Sequence, residues 1–236
     1  QDMVLKGKRV LVRVDYNVPM KGSKIEDNAR IRETLKTLEY LIKEGAKVVL
    51  ISHLGRPKGK PEPKYTLKPV ADELAKLLKK PVAFAADCVG PVAEKAVAAL
   101  KPGDVLLLEN LRFHGEEEAD DTAFSKALAK HGDFFIQDAF GALHRAHAST
   151  SGVTKFLSGA IGFLVQRELE FLDRSIGNPT RPFLAIIGGA KVSDKLVVLD
   201  KLLDRVDALL IGGAMAYTFL AAQGINIGKS LLEKDQ

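Results

Sequence analysis

The sequence predicts an α/β protein: a parallel-sheet, three-layer αβα N-terminal domain, then the first strands and helices of a second, Rossmann-like αβα domain. Short β-branched or Leu-rich runs alternate along the chain with segments of helical period. The runs are continuously apolar, as strands covered on both faces of a parallel sheet must be. A charged helix and a Gly/Pro turn cluster then interrupt the alternation between residues 160 and 182, after which it starts afresh.

The first strand is RVLVRV (9–14), followed by a helix over Ala29–Lys43 in which Ile31, Leu35, Leu38 and Ile42 recur every three to four residues. KVVLIS (47–52), a helix over Thr66–Lys80, VAFAA (82–86) and a helix over Pro91–Leu100 continue the pattern. DVLLLE (104–109), a helix over Thr122–Lys130 and DFFIQD (133–138) complete five strands. Val165–Ile176 (VQRELEFLDRSI) reads as a charged amphipathic connector, and GNPTRP as its turn. FLAIIG (183–188), a helix over Lys191–Leu203 and ALLIG (208–212) open the second series. The predicted organisation is therefore 1–164 as one complete domain, 165–182 as connector and 183–236 as the incomplete start of another. Two strands cannot close a doubly wound sheet, so the chain is expected to be part of a longer protein.

Hydrophobic content of 46% with 28% charged residues describes a globular chain with a sizeable core. No cationic-then-apolar N-terminus suggests a signal peptide. Ala208–Gly228 is uncharged over a membrane-length window, but its four glycines, Gln and Asn fit a buried strand, turn and helix, so no membrane association is expected. Cys88, the single cysteine, has no intrachain partner, and a cytoplasmic location is expected. A net charge of +5 favours anionic partners. Nucleic acid is not expected among them, because Trp is absent, aromatics are few and no Lys/Arg block occurs.

Ligands of open α/β sheets bind beyond the carboxyl ends of the strands, which directs the search. After the first strand stand Asp15, Tyr16 and Asn17; after the second, Ser52, His53, Leu54, Gly55 and Arg56; after the fourth, Glu109, Asn110 and Arg112. The fifth leads into Asp138 and FGALHRAHAST (140–150) with Arg145, and Arg30 opens the first helix on the same edge. The third offers only Asp87. The chain carries 24 Lys against 11 Arg, yet an arginine stands at four of these connections. A guanidinium grips phosphate or carboxylate with two parallel hydrogen bonds, which lysine cannot do. Four converging forks repel one another unless an anion neutralises them, so a multi-anion site is expected.

A second cluster, Gly188-Gly189-Ala190-Lys191-Val192-Ser193-Asp194-Lys195, directly follows the FLAII strand. Glycines admit a phosphate to the backbone, and a helix N-terminus presents free N–H groups. Lys191 and Lys195, spaced i,i+4 on the predicted helix, share a face, an unfavourable arrangement that a polyphosphate would reverse. Gly212 and Gly213 follow the next strand on the same edge and suit the floor of a nucleotide base. GINIGKS (224–230) is not a P-loop, since Gln223 stands where its first glycine belongs. No G-x-G-x-x-G follows a strand, which sets aside a dinucleotide dehydrogenase.

RVDYNVP, SHLGRPKG, ENLRFH, DAFGALHRAH and GGAKVSDK, in this order, closely resemble phosphoglycerate kinase. The resemblance runs from about Val4 to the end. It implies reversible phosphoryl transfer between 1,3-bisphosphoglycerate and Mg-ADP, giving 3-phosphoglycerate and Mg-ATP, in a cytoplasmic glycolytic enzyme that is monomeric when complete. It implies a phosphoglycerate site at Asp15, Tyr16, Asn17, Arg30, His53, Leu54, Gly55, Arg56, Arg112 and Arg145. Arg30 would lie nearest the substrate carboxyl end, the other arginines on the remote phosphate. A nucleotide site is implied at Gly188, Gly189, Ala190, Lys191, Lys195, Gly212 and Gly213, with Lys191 on the transferring phosphoryl group and Lys195 on nucleotide phosphates. Arg30 and Lys191 would be catalytic, and closure about the connector would bring the two sites together.

Ala214 and Leu143 depart slightly from the family pattern. The family's metal-binding aspartate and glycine-rich phosphate loop are expected beyond Gln236, since no DGPxS-like or GGGD-like segment occurs, so no Mg2+ ligand is expected here. The chain alone is expected to bind phosphoglycerate or other polyanions and to turn over poorly or not at all. Within HRAH, Arg145 is the expected contact. No third ligand cluster supports a metal, and phosphoryl transfer between oxyanions gives a general base nothing to do. His144 and His147 are its polar neighbours, able to add positive charge if their pKa is raised.

Overall fold

β1 (Arg9–Val14) pairs in parallel with β4 (Lys47–Ile51) on one side and β7 (Phe134–Asp138) on the other. It is a central strand of a six-stranded sheet ordered β5 (Val82–Ala85), β6 (Val105–Leu108), β4, β1, β7 and β8 (Gly159–Ile161). The computed structural model describes residues 4–236. The chain winds outward from β1 through β4 to β5, returns at β6, then crosses β1 to β7. The direction of winding reverses at β1, so a ligand crevice is set beyond the carboxyl ends of β1, β4 and β7. A small antiparallel hairpin, β2 (Met20–Lys21) and β3 (Lys24–Ile25), follows β1.

Because side chains alternate across a strand, β1 feeds two separate cores. Val10, Val12 and Val14 pack on one face with Val48, Leu50, Leu107 and residues of α1 (Ala29–Glu33), α2 (Leu35–Lys43) and α3 (Lys68–Leu78). Leu11 packs on the other with Val49, Leu106, Phe135 and residues of α4 (Gly90–Ala98) and α5 (Thr122–Ala129). Each fully buried Val or Leu contributes about 1.5–3 kcal/mol, which fixes the register and with it the strand ends.

The described residues form two compact units, one ending at Leu169 and the other covering Glu170–Gln236. The boundary falls inside α6 (Phe163–Leu172). In the second unit β9 (Leu184–Gly188) and β10 (Ala208–Gly212) pair in parallel, with α7 (Leu196–Leu203) between them and α8 (Met215–Ala222) after them. Val192, Leu199 and Met215 form its core. Among the described residues no helix is long and apolar enough to cross a membrane.

Several boundaries differ from the sequence expectation. The predicted helix Ala29–Lys43 breaks at Thr34, whose hydroxyl bonds Ile31 O (2.8 Å) and whose N–H turns back to Ile31 O, tightening the chain to an i→i−3 turn. β8 was not predicted, being three residues with no alternation to read. The connector begins at Phe163 rather than Val165, because Thr37 Oγ1 accepts from Phe163 N and Asp138 Oδ1 from Leu164 N and Val165 N. It ends its α-helical course at Leu172 and continues as a π-turn over Asp173–Gly177. Most consequential for the site, α7 starts at Leu196 instead of Lys191.

Candidate anion-binding site

Asp15 and Asn17 follow β1. Asp15 Oδ2 takes a hydrogen bond from Arg30 Nη1 at 2.6 Å, and its Oδ1 takes the N–H of Asn17 at 3.1 Å. Asn17 Oδ1 accepts from Gly55 N at 2.9 Å, tying the loop after β1 to the loop after β4 and leaving the Asn17 amide nitrogen without a partner among the described residues. Gly55 has φ +64°, and a Cβ there would meet the Tyr65 ring, so only glycine lets this loop turn where it does. Gly55 O in turn accepts from Arg112 Nη1 at 2.9 Å.

The arginines stand in different settings. Arg112 is buried, its Nη2 3.0 Å from Glu118 and its Nε without a partner. Burial holds its pKa below the ordinary arginine value, and the charges of Arg145 and Arg56 add to that. Arg56 is exposed and makes no hydrogen bond or ion pair among the described residues. Arg145 is half-buried and donates Nε to His144 Nε2 at 3.3 Å. Arg30 is exposed and, among the described residues, paired only with Asp15.

His53 is pushed down to about 2, first by burial and then by the charges of Arg13, Arg112, Arg145 and His147. These residues, from β1 and from the connections after β4, β6 and β7, therefore lie within one another's fields. His53 Nδ1 faces Arg13 Nη2 at 3.0 Å. A guanidinium has no lone pair to offer, so Nδ1 accepts and the proton of the neutral ring sits on Nε2. His147 is also held below its usual value by burial. The condition for it to add positive charge, a raised pKa, is thus not met: desolvation outweighs Glu117 and Glu118, the carboxylates that would raise it.

The Tyr16 side chain and the Leu54 backbone are held inside the protein. The Tyr16 ring is buried with its hydroxyl 2.9 Å from Thr34 Oγ1, and both backbone groups of Leu54 are bound by the Asn110 side chain. Sequence reasoning missed the layer beneath. Arg13, 1% exposed in the middle of β1, gives Nε to Ser149 Oγ (2.8 Å) and Nη1 to Val14 O. Ser149 Oγ and N both bond the buried Glu117 carboxylate, at 2.6 and 3.0 Å. An arginine inside an otherwise apolar strand was the available signal, since such a charge must find a partner.

In the second unit the strand ends place Gly188 and Gly189 against Gly212 and Gly213. Gly213 has φ +69°, and a Cβ there would lie 2.8 Å from Gly189 O. Lys195 lies over Gly189, its Cε 3.0 Å from where a Cβ would stand. Lys191 is exposed, beside Ala190 in the same turn. The two lysines do not share a helix face, correcting the i,i+4 expectation. The backbone N–H groups of Val192 and Ser193 go instead to Glu233 Oε2, at 2.5 and 3.1 Å, and Ser193 Oγ to its Oε1 at 2.7 Å. A distant carboxylate thus holds residues 191–195 as an open turn and delays the helix.

A family model described as "Phosphoglycerate kinase" matches residues 1–236. Among curated relatives, the phosphoglycerate kinases of Elusimicrobium minutum and Moorella thermoacetica are each 58% identical over 236 residues. All of this chain is covered, but only 59% and 60% of theirs, so the chain spans about three-fifths of the relatives it matches. The solved phosphoglycerate kinase of Coxiella burnetii superposes with a TM-score of 0.88 at 42% identity, covering 99% of this chain and 59% of its own. That of Pyrococcus horikoshii gives 0.85 at 38%, covering 96% and 58%.

Proposed function

The chain belongs to the phosphoglycerate kinase family, and from that premise we propose that it carries the phosphoglycerate site and the opening of the nucleotide site of a kinase. The reaction is reversible phosphoryl transfer between 1,3-bisphosphoglycerate and ADP, giving 3-phosphoglycerate and ATP. The observation that supports it best is the mutual field of His53, Arg112, Arg145 and Arg56 beside the Asn17 amide, with Arg56 unpaired. The guanidinium cations so arranged repel one another until a multiply charged anion joins them.

In this reading Arg56, Arg112 and Arg145 hold the remote phosphate, and Asn17 and His53 Nε2–H donate hydrogen bonds to the substrate. Arg30, oriented by Asp15, faces the carboxyl end where transfer occurs. Lys191 stabilises the transferring phosphoryl group, Lys195 binds nucleotide phosphates, and Gly188, Gly189, Ala190, Gly212 and Gly213 shape the base and phosphate pocket. Transfer between two oxyanions proceeds in line and draws on positioning and charge, after closure of the hinge. Mg2+ would be carried by the nucleotide. No step here depends on a metal ligand from this chain. The 236-residue chain by itself binds phosphoglycerate and turns over poorly or not at all. The complete enzyme is a cytoplasmic monomer with no nucleic-acid or membrane partner.

Titration calorimetry with 3-phosphoglycerate tests this. Saturable one-to-one binding that weakens strongly in Arg30→Ala supports the reading. No saturable binding, or binding indifferent to Arg30→Ala, overturns it and leaves a general polyanion-binding module.

A further inference from the structure

The third strand of the sheet is the one whose end contributes nothing to the anion site. Asp87 and Cys88 follow β5 there, and His114 follows the 3-10 turn Leu111–Phe113 that carries Arg112. Among the described residues they form a group in which a carboxylate oxygen, the Cys88 sulfur and an imidazole nitrogen all lie within 4.8 Å of one another. His114 Nε2 is 2.7 Å from Asp87 Oδ1, which also takes the N–H of Cys88 at 2.7 Å. Asp87 Oδ2 has no partner among the described residues. The thiol is buried, whereas the Asp87 and His114 side chains are 42% and 29% exposed.

We propose that Asp87, Cys88 and His114 form a site for a thiophilic divalent cation of the zinc class, distinct from the hard Mg2+ that travels with nucleotide. Thiolate, imidazole and carboxylate are the donors such an ion takes, and three protein ligands leave a fourth position for water. Tetrahedral Zn–S and Zn–N/O bonds place their ligand atoms about 3.3–3.8 Å apart, so on binding the widest separation closes by about 1 Å while the 2.7 Å His114–Asp87 contact opens by about 0.6 Å. Asp87 and His114 are free to make that movement from the solvent side, while Cys88 is held by the core. Binding forms the metal–sulfur bond as the thiol releases its proton to solvent. An Asp–His ion pair over a packed thiol is the competing account. It predicts no metal–sulfur chemistry at all.

Cys88 is the only cysteine in the chain, so a sulfur-to-metal signal reports on this site alone. The probe is Co2+ added to the 236-residue chain, reduced and freed of metal by a chelator. The expected result is a near-ultraviolet thiolate-to-cobalt band that saturates at one equivalent, persists in excess Mg2+ and is abolished by Zn2+. His114→Gln, which removes one of three ligands, is expected to weaken binding by at least about 100-fold, the upper range for loss of a mere outer-shell partner, and Cys88→Ser to remove the band. Absence of the band in the unaltered protein, or an unchanged titration in His114→Gln, overturns the proposal whether or not Cys88→Ser folds. The site is independent of the kinase reading, and either can fail alone.

Discussion

Arg13 Nη2 lies 3.0 Å from His53 Nδ1, inside the wall that supports the strand-end loops. This contact fixes which His53 nitrogen faces outward with a proton. It also makes a residue that never reaches the surface a determinant of the proposed anion site.

Replacing Arg13 leaves a buried carboxylate behind. Glu117 is fully buried, and its charge is among those that sustain Arg13 against burial. Arg13→Met is expected to destabilise the N-terminal unit by about 3–5 kcal/mol, the cost of stripping one partner from a buried charge network. Urea unfolding followed by circular dichroism measures it, and a loss under 1 kcal/mol contradicts the network.

Acid is expected to weaken the fold through His53. Its pKa is about 6.5 in the unfolded chain and about 2 in the folded one, so the unfolded state binds the extra proton between those values. This part of the stability is complete above pH 6.5 and falls as pH drops below it. One pH unit below, the loss is about 1.4 kcal/mol. Unfolding free energies of the unaltered protein and His53→Gln, compared from pH 7 to pH 5, are expected to diverge with the steeper decline in the unaltered chain.

Arg56 separates binding from stability. It is exposed and unpaired, so Arg56→Ala is expected to shift unfolding by less than about 0.5 kcal/mol. The same change removes a charge-assisted contact worth about 1.5–3 kcal/mol, a loss of roughly 10- to 150-fold in affinity for 3-phosphoglycerate. Calorimetry and urea unfolding on one sample check both halves.

Tyr16→Phe is expected to do the reverse. Loss of the buried bond to Thr34 Oγ1 costs about 1 kcal/mol of stability, with phosphoglycerate affinity unchanged. A large affinity loss with intact stability would return the Tyr16 hydroxyl to the binding surface.

The Glu233 carboxylate holds the turn that bears Lys191. Its hydrogen bonds to Ser193 and Val192 keep it below the usual carboxylate range. Glu233→Ala is expected to speed amide exchange at Val192 and Ser193 without altering exchange in β1 or β4. Equal exchange in both proteins would mean that the turn holds itself.

The strands, their parallel arrangement and the residues at their carboxyl ends were legible from sequence. Apolar runs and helical periods are local patterns, and the winding of an open sheet brings strand ends to one edge whatever the loops do. Family motifs then assigned roles to Arg30, Arg56, Arg112, Arg145, Lys191 and Lys195 by residue type alone. Only the tertiary structure decided the protonation of His53, the buried pairing of Arg13 with Ser149 and Glu117, and the break at Thr34. It alone set the late start of α7 as well. Each of these depends on partners far away in sequence: Ser149 lies 136 residues from Arg13, and Glu233 lies 41 from Val192. Hydrogen-bond partners and desolvation are properties of the folded neighbourhood, and no periodicity in the chain encodes them.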